Sequence, residues 1–285
     1  MPTPSKTLLA LSCAVLTTTA SAESASDASA AAKKMADPNA NMGLMTFNFD
    51  HVSYDGDLPG ANDQSAQKIS FQPSLPYSLG EGTNLFVRPL IPLLIEQPAP
   101  VIGDQNPSVA PDNFNTSELV LGDIGFDVAI GKTVDKNVLI AGVTGTLPTA
   151  TDDDVGLDQW LLGPEFYYGR NTSFGHMGIL VTHQWDIAGE DDYNTSITGG
   201  QYFFTYNLEN AWQIQMQPTY SYNHNAEKGQ ELTFPLAIGV AKTEIIGGAP
   251  WKFGLQLWHY TDAPDAFGPE YQLRFSVTPV VPLPW

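Results

Sequence analysis

The chain has 285 residues, with 12 Lys and Arg against 31 Asp and Glu, a formal net charge of -19 and one cysteine. That balance excludes nucleic acid as a partner, since phosphate contacts need clustered cations; the lone cysteine excludes a disulfide framework or a thiolate metal centre. With 15% charged residues, 11% aromatic residues, 25 Gly and 22 Pro, the composition fits a folded, turn-rich chain and not a disordered one.

Residues 1–22 carry Lys6, an apolar run from Leu8 to Thr19 and a small-residue site at Ala20-Ser21-Ala22. This is the pattern of a cleaved secretory signal peptide, and the apolar run is too short for a membrane-spanning helix. Cys13 sits in too weak a lipobox to read as a lipoprotein site. Residues 23–43 are rich in Ala and Ser. They read as a flexible periplasmic leader, with a short lumenal plug as the alternative.

From residue 44 the signal has period two. Leu44–Ser53 is the first candidate strand, and Gln67–Tyr77 sets Ile69, Phe71, Pro73 and Leu75 against Lys68, Ser70, Gln72 and Ser74. Asn84–Ile95 follows, then Val120–Ile130, with Ile124, Phe126, Val128 and Ile130 opposite Asp123 and Asp127. Val138–Leu147, Trp160–Tyr168 (Trp160, Leu162, Phe166 and Tyr168 opposite Glu165), Gly175–Ile187 and Thr198–Leu208 continue the series. The clearest alternation is Ala211–Tyr222, where Trp212, Ile214, Met216 and Tyr220 interleave with Gln213, Gln215, Gln217 and Thr219. Leu232–Val240, Trp251–Tyr260 and a last strand from Tyr271 to the terminal Trp285 complete about twelve strands of membrane-crossing length. Pro279, Pro282 and Pro284 predict that the last ladder fades near residue 280.

The connections alternate in length. Tyr54–Ala66, Glu96–Ser117, Pro148–Gln159, Ala188–Ser196, Asn223–Gln230 and Thr261–Glu270 are long or moderate. Gly80–Gly82, Lys132–Asn137, Asn171–Ser173, Glu209-Asn210 and Glu244–Pro250 are short. Long outer loops, short inner turns and both ends of the strand series on the short-turn side predict an all-β, up-and-down, antiparallel transmembrane barrel over residues 44–285. Such a barrel belongs in a Gram-negative outer membrane. Because lipid offers no hydrogen-bond partners the sheet must close, and twelve strands leave a narrow lumen. Trp160, Trp185, Tyr206, Trp212, Tyr222 and Trp251 suit two interfacial girdles.

Inward-facing charges are the candidate selectivity residues: Asp50, Arg88, Asp123, Asp127, Glu165, Lys252 and Arg274. They serve either as a constriction of opposed charges or as a network zipping the walls together. Asp50 and Arg274 come from the first and last strands and should meet where the barrel closes. Phe86, Leu90, Phe203 and Trp258 are the candidate apolar lining, expected to share one continuous cavity. Asp152, Asp153 and Asp154 are weak candidates for a divalent cation or for bridging to lipopolysaccharide, without the spacing of a calcium loop. No cofactor is implied. The terminal Trp285 resembles the signal by which such barrels reach the barrel-assembly machinery.

A lipid hydrolase would need Ser and His together on one wall. The chain has no G-x-S-x-G element, and its histidines (His51, His176, His183, His224 and His259) are isolated in sequence. The expectation is a non-enzyme. A structural or adhesive barrel with a blocked lumen stays open as an alternative.

Four groups of segments resemble the MetA-pathway phenol-degradation family of transporter-like outer-membrane proteins. They are Leu121-Gly122-Asp123-Ile124; Leu147-Pro148-Thr149-Ala150-Thr151-Asp152 with Trp160-Leu161-Leu162-Gly163-Pro164; His183-Gln184-Trp185 with Ala188-Gly189-Glu190-Asp191; and Phe267-Gly268-Pro269-Glu270 with Leu273-Arg274-Phe275. The resemblance spans roughly residues 40–281. It implies passage of small hydrophobic or aromatic compounds across the outer membrane, and no catalytic residues.

Overall fold

A computed structural model describes residues 25–101, 114–190 and 193–285. The signal-peptide reading of residues 1–22 therefore lies outside the described residues, as does Asp191. Fourteen strand segments form one antiparallel sheet: β1 (Gly43–Asp55), β2 (Ser65–Gly80), β3 (Thr83–Pro100), β4 (Phe114–Leu121), β5 (Ile124–Val134), β6 (Asn137–Leu147), β7 (Gln159–Asn171), β8 (Gly175–Gly189), β9 (Ser196–Asn207), β10 (Trp212–Met216), β11 (Thr219–Asn223), β12 (Leu232–Ile246), β13 (Ala249–Asp262) and β14 (Gly268–Val281). β4 and β5 are one strand broken at Gly122-Asp123, and β10 and β11 are one strand broken at Gln217-Pro218. The wall thus has twelve strands, each beside its sequence neighbours, and β1 closes it onto β14.

Polarity is inverted relative to a soluble domain. Phe166 is 61% and Ile238 63% exposed, whereas Glu165 and Gln213 are 1% exposed. One residue of offset along β7 takes a side chain from hydrocarbon to lumen, because the pleat alternates faces. Phe166→Arg is accordingly expected to cost about 2–4 kcal/mol in urea unfolding from bilayers, the range for a cation on the lipid face near the midplane.

The exposed aromatics fall into two bands. Trp160, Trp185 and Tyr222 lie at strand ends on the long-loop rim, and Tyr206 and Trp212 at strand ends on the short-turn rim, where the half-buried Trp251 joins them. The short rim is made of tight reversals, of which Gly247-Gly248, both at positive φ (61° and 83°), joins β12 to β13 with the twist that glycine alone gives cheaply. β14 ends at Val281, after which Trp285 stacks on Tyr77 (4.3 Å between rings) and donates its indole N–H to the Pro76 carbonyl at 3.0 Å.

Two expectations need correction. The segment from Glu96 to Ser117, read as loop, contains a strand pair: β3 runs on to Pro100 and pairs with β4 from Leu93↔Leu121 to Pro100↔Phe114. Pro98 and Pro100 obscured it; they stand beyond the end of the β2 pairing, opposite Thr116 and Phe114 of β4, on a stretch that has become an edge on its other side.

The leader is likewise not aperiodic. Residues 25–35 form a helix whose buried face is Ala28, Ala32 and Met35, an i, i+4, i+7 set; Ala28 and Ala32 pack against Ala211, and Met35 borders the inner cavity. The chain then enters the short-turn mouth. Its stripe was hidden because alanine also fills positions 30 and 31, leaving little contrast between faces; Lys33 and Lys34 remain exposed.

Candidate functional site

The lumen is the candidate site, and its middle layer is built around two ion pairs on neighbouring stretches of wall, with only β2 between the β3–β5 pair and the β1–β14 pair. On one wall Arg88 of β3 donates to Asp127 of β5 (Nε–Oδ1 2.7 Å), and its Nη2 lies 4.0 Å from Glu165 Oε1 of β7. On the far side of β2 along the same wall, Arg274 of β14 grips Asp50 of β1 through both carboxylate oxygens, at 2.7 and 2.9 Å. Asp50 and Arg274 face each other in the closing strand pair. Gln272 adds a third donor to Asp50 at 3.0 Å and itself accepts from Tyr260. The guanidinium of Arg274 lies 4.5 Å from the ring centre of Trp258, a cation–π contact.

This layer divides the lumen into two cavities. The outer one, about 390 Å³, is bounded by Lys68, Leu90, Pro92, Thr144, Thr146 and Gln184. The inner one, about 220 Å³, is bounded by Thr46, Ile140, Tyr167, Phe203, Gln215 and Lys252. Asn48, Gln72, Arg88, Asp127, Gln201 and Arg274 border both, so they form the waist.

Residues 35–40 roof the inner cavity. Asn39 donates to the Gly82 carbonyl (2.9 Å) and to Thr133 (2.7 Å), while its own carbonyl accepts from Asn84 (2.8 Å). Asp37 accepts from Asn171 at 2.7 Å, and Gln213 donates to the Ala32 carbonyl at 3.0 Å. These anchors run from the β2–β3 turn across to β7 and β10, so the segment bridges the mouth from wall to wall.

The sequence-derived candidates separate on inspection. Asp50, Arg88, Asp127, Glu165 and Arg274 converge on the waist, and Lys252 faces the inner cavity with no carboxylate within 4 Å among the described residues. Asp123 does not belong with them. It sits in the break between β4 and β5, and its carboxylate accepts the backbone N–H groups of Thr149, Ala150 and Leu157 at 2.8–3.0 Å. It pins the outer loop 148–158. Alternation counted through an unbroken strand gave it a lumenal address, and the break removes that parity.

The four apolar candidates face inward but do not share one cavity. Leu90 borders the outer cavity and Phe203 the inner one, whereas Phe86 and Trp258, at 2% and 1% exposure, are packed solid. Asp152 and Asp154 take partners within their own loop and from Asn115, and no group of three or more metal-ligating side chains is found among the described residues.

Parity along β2 could have added Lys68, which borders the outer cavity. The Tyr167–His176 hydrogen bond needed three-dimensional placement: the phenol lies over Gly169 and Gly178, where a Cβ would come within 2.3 Å and 2.1 Å of its oxygen.

At the outer girdle His183 Nδ1 meets Thr198 Oγ1 at 2.7 Å, and Thr198 meets His224 Nε2 at 2.8 Å. Ser196 Oγ stands 3.5 Å from His183 Nε2, a pairing that sequence distance concealed. A hydroxyl, not a carboxylate, orients this imidazole, and Trp185 packs on it at 4.2 Å between rings. The set forms an interfacial hydrogen-bond network within the girdle.

No protein-family model matches the chain, and a search of curated proteins finds no match. Among solved structures the chain is similar to the COG4313 outer membrane channel from Pseudomonas putida F1, with a TM-score of 0.63 at 12% identity over 85% of this chain and 96% of that one. It is also similar to the NanC porin, with a TM-score of 0.52 at 9% identity over 84% of this chain and all of the other. The fold is therefore that of outer-membrane channels and porins.

Proposed function

We propose that the chain is a passive outer-membrane channel for small solutes, with preference for apolar or aromatic ones. The observation that carries this reading is the lumen itself, two cavities that meet at a charged waist and are spanned at the inner mouth by residues 35–40. A barrel serving only as a scaffold or adhesin gains nothing by burying Arg88, Lys252 and Arg274 beside open volume, because each must be paired or wetted there. The similarity to an outer membrane channel of Pseudomonas putida supports the channel reading. The apolar preference rests on Leu90, Pro92, Ile140 and Phe203 in the cavity walls and on the sequence resemblance. In this reading Trp285 presents the closing strand to the assembly machinery, and the loop acids Asp152–Asp154 face lipopolysaccharide.

Reconstitution tests it. Purified chain in planar bilayers is expected to give discrete ionic steps smaller than those of 16–18-stranded porins, and cells displaying it to take up labelled toluene faster than cells without it. A chain that passes neither ions nor toluene, with or without residues 25–40, would return the barrel to a structural role.

A further inference from the structure

Each charge of the waist has a partner, and one cation between the waist and the inner mouth does not. Arg88 is paired to Asp127 with Glu165 in reach, Arg274 is paired to Asp50, and Asp37 in the roof accepts from Asn171. Lys68, which borders the outer cavity, has Asp50 opposite it in the β1–β2 ladder. Lys252 of β13 is different. It is 8% exposed and borders the inner cavity, yet it makes no hydrogen bond or ion pair among the described residues. A buried ammonium in that state is costly, and an anion in the cavity beside it removes the cost.

The wall around Lys252 suits such an anion. The pleat puts Lys252, Gly254 and Gln256 on the lumenal side of β13, while Leu255 and Leu257 are exposed. At Gly254 a Cβ would stand 2.7 Å from Gln215 Nε2 and 2.5 Å from Ser276 Oγ, so both polar groups lean over the glycine, one pleat repeat from Lys252. Gln215 Oε1 is buried without a hydrogen-bond partner. Thr243 and Thr278 flank Lys252 in register from the two neighbouring strands. Ammonium, amide and hydroxyl groups therefore make one polar recess with a single positive charge.

Across the lumen the same cavity is apolar. Ile140 of β6 and Tyr167 of β7 border it, with Leu180 and Phe203 beside them on β8 and β9. The rings of Tyr167 and Phe203 meet edge to face, 5.5 Å apart with 77° between their planes. A volume of about 220 Å³ holds a single-ring solute with its polar end at one wall and its ring at the other. Charge sets the valence. One unpaired ammonium neutralises one negative charge, and a dianion would bring its second charge into the cavity unpaired.

We infer that the inner cavity is a binding site for a small aromatic monocarboxylate, its carboxylate held by Lys252 and its ring against Tyr167 and Phe203. The inference rests on the channel reading above and narrows it, because the aromatic solute now carries one negative charge. The hold is a weak one, since a solute that is to pass must also leave.

Titration calorimetry of the purified full chain in detergent, with sodium benzoate at neutral pH, reads the site, and benzamide is the uncharged counterpart. Benzoate is expected to bind about tenfold or more tighter than benzamide, the worth of one charge-assisted hydrogen bond. Lys252→Met keeps the reach of the side chain and removes its charge. It should weaken benzoate by about the same factor and leave benzamide unchanged. The variant should fold, because an unpartnered buried cation leaves with the substitution, and its urea midpoint in phospholipid vesicles should equal or exceed that of the unaltered chain. Benzoate that binds not at all, no tighter than benzamide, or equally to Lys252→Met overturns the site and leaves the channel standing. Acetate or phosphate bound as tightly as benzoate overturns the aromatic class. A chain that binds benzoate through Lys252 but passes neither ions nor toluene keeps the site and overturns the channel reading instead.

Discussion

Deleting residues 25–40 is expected to raise single-channel conductance by about an order of magnitude, as expected when a lumen obstructed along its axis gains an open end. The anchored part of this segment is short and polar: Asn39 on Gly82, Thr133 and Asn84, Asp37 on Asn171, and Ala32 on Gln213. At about 1 kcal/mol net per hydrogen bond, five such bonds hold it with about 5 kcal/mol before the entropy of ordering is subtracted. An eleven-residue helix has little stability of its own, so its order depends on the docked face of Ala28, Ala32 and Met35. The segment is therefore held weakly enough to leave and strongly enough to stay. Asn39→Ala, which removes two donors, is expected to give intermittent large openings, and full deletion a constant large state. Planar-bilayer recordings of the three forms decide it. Equal conductance in all of them would put the limiting constriction at the Arg88–Arg274 waist and leave residues 25–40 as packing.

The architecture was legible because a membrane barrel obeys one rule at every position. Each odd–even step separates hydrocarbon from lumen, so Phe166 beside Glu165, or Gln213 beside Trp212, declares its face without tertiary information. The seam pair was legible for a similar reason, since closing the sheet brings the first strand to the last and parity puts Asp50 and Arg274 on the same side.

What parity could not supply is where it stops. Asp123 was assigned to the lumen by counting through a break that only the fold reveals, and its three backbone donors come from a loop about thirty residues ahead. The helix at 25–35 escaped because a hydrophobic stripe written in alanine has little contrast. The break between β10 and β11 lay in plain view as Gln217-Pro218, but the residues around it read as one regular strand until the pairing with β12 proved to lapse between Ile214↔Val240 and Ser221↔Thr233. A cavity is harder still, since Phe86 and Phe203 have the same parity, yet one is packed solid and the other borders open volume.

Asp50→Ala is expected to destabilise the barrel more than Asp127→Ala, although both remove a carboxylate from an arginine at 2.7 Å. The Asp50 side chain is fully buried and accepts three donors, two from Arg274 and one from Gln272. Its loss strands all three and leaves the guanidinium only the face of Trp258. Breaking a buried pair in this way costs about 3–5 kcal/mol, and the 14% exposure of Arg274 in a wetted lumen argues for the lower end. Arg88, by contrast, keeps a second carboxylate in reach, with Glu165 Oε1 at 4.0 Å and otherwise without a hydrogen-bond partner, so a small shift re-forms the pair. The loss for Asp127→Ala should be about 1–2 kcal/mol, nearer that of a single charged hydrogen bond. Asp50→Asn, which keeps one acceptor oxygen, should fall between them. Asp50→Ala combined with Arg274→Leu should recover part of the loss, because the stranded charge leaves with its partner. Urea unfolding of the four variants in phospholipid vesicles gives the order. If Asp127→Ala proves the costlier change, the closing seam is held by its backbone ladder and the Asp50–Arg274 pair adds little to it.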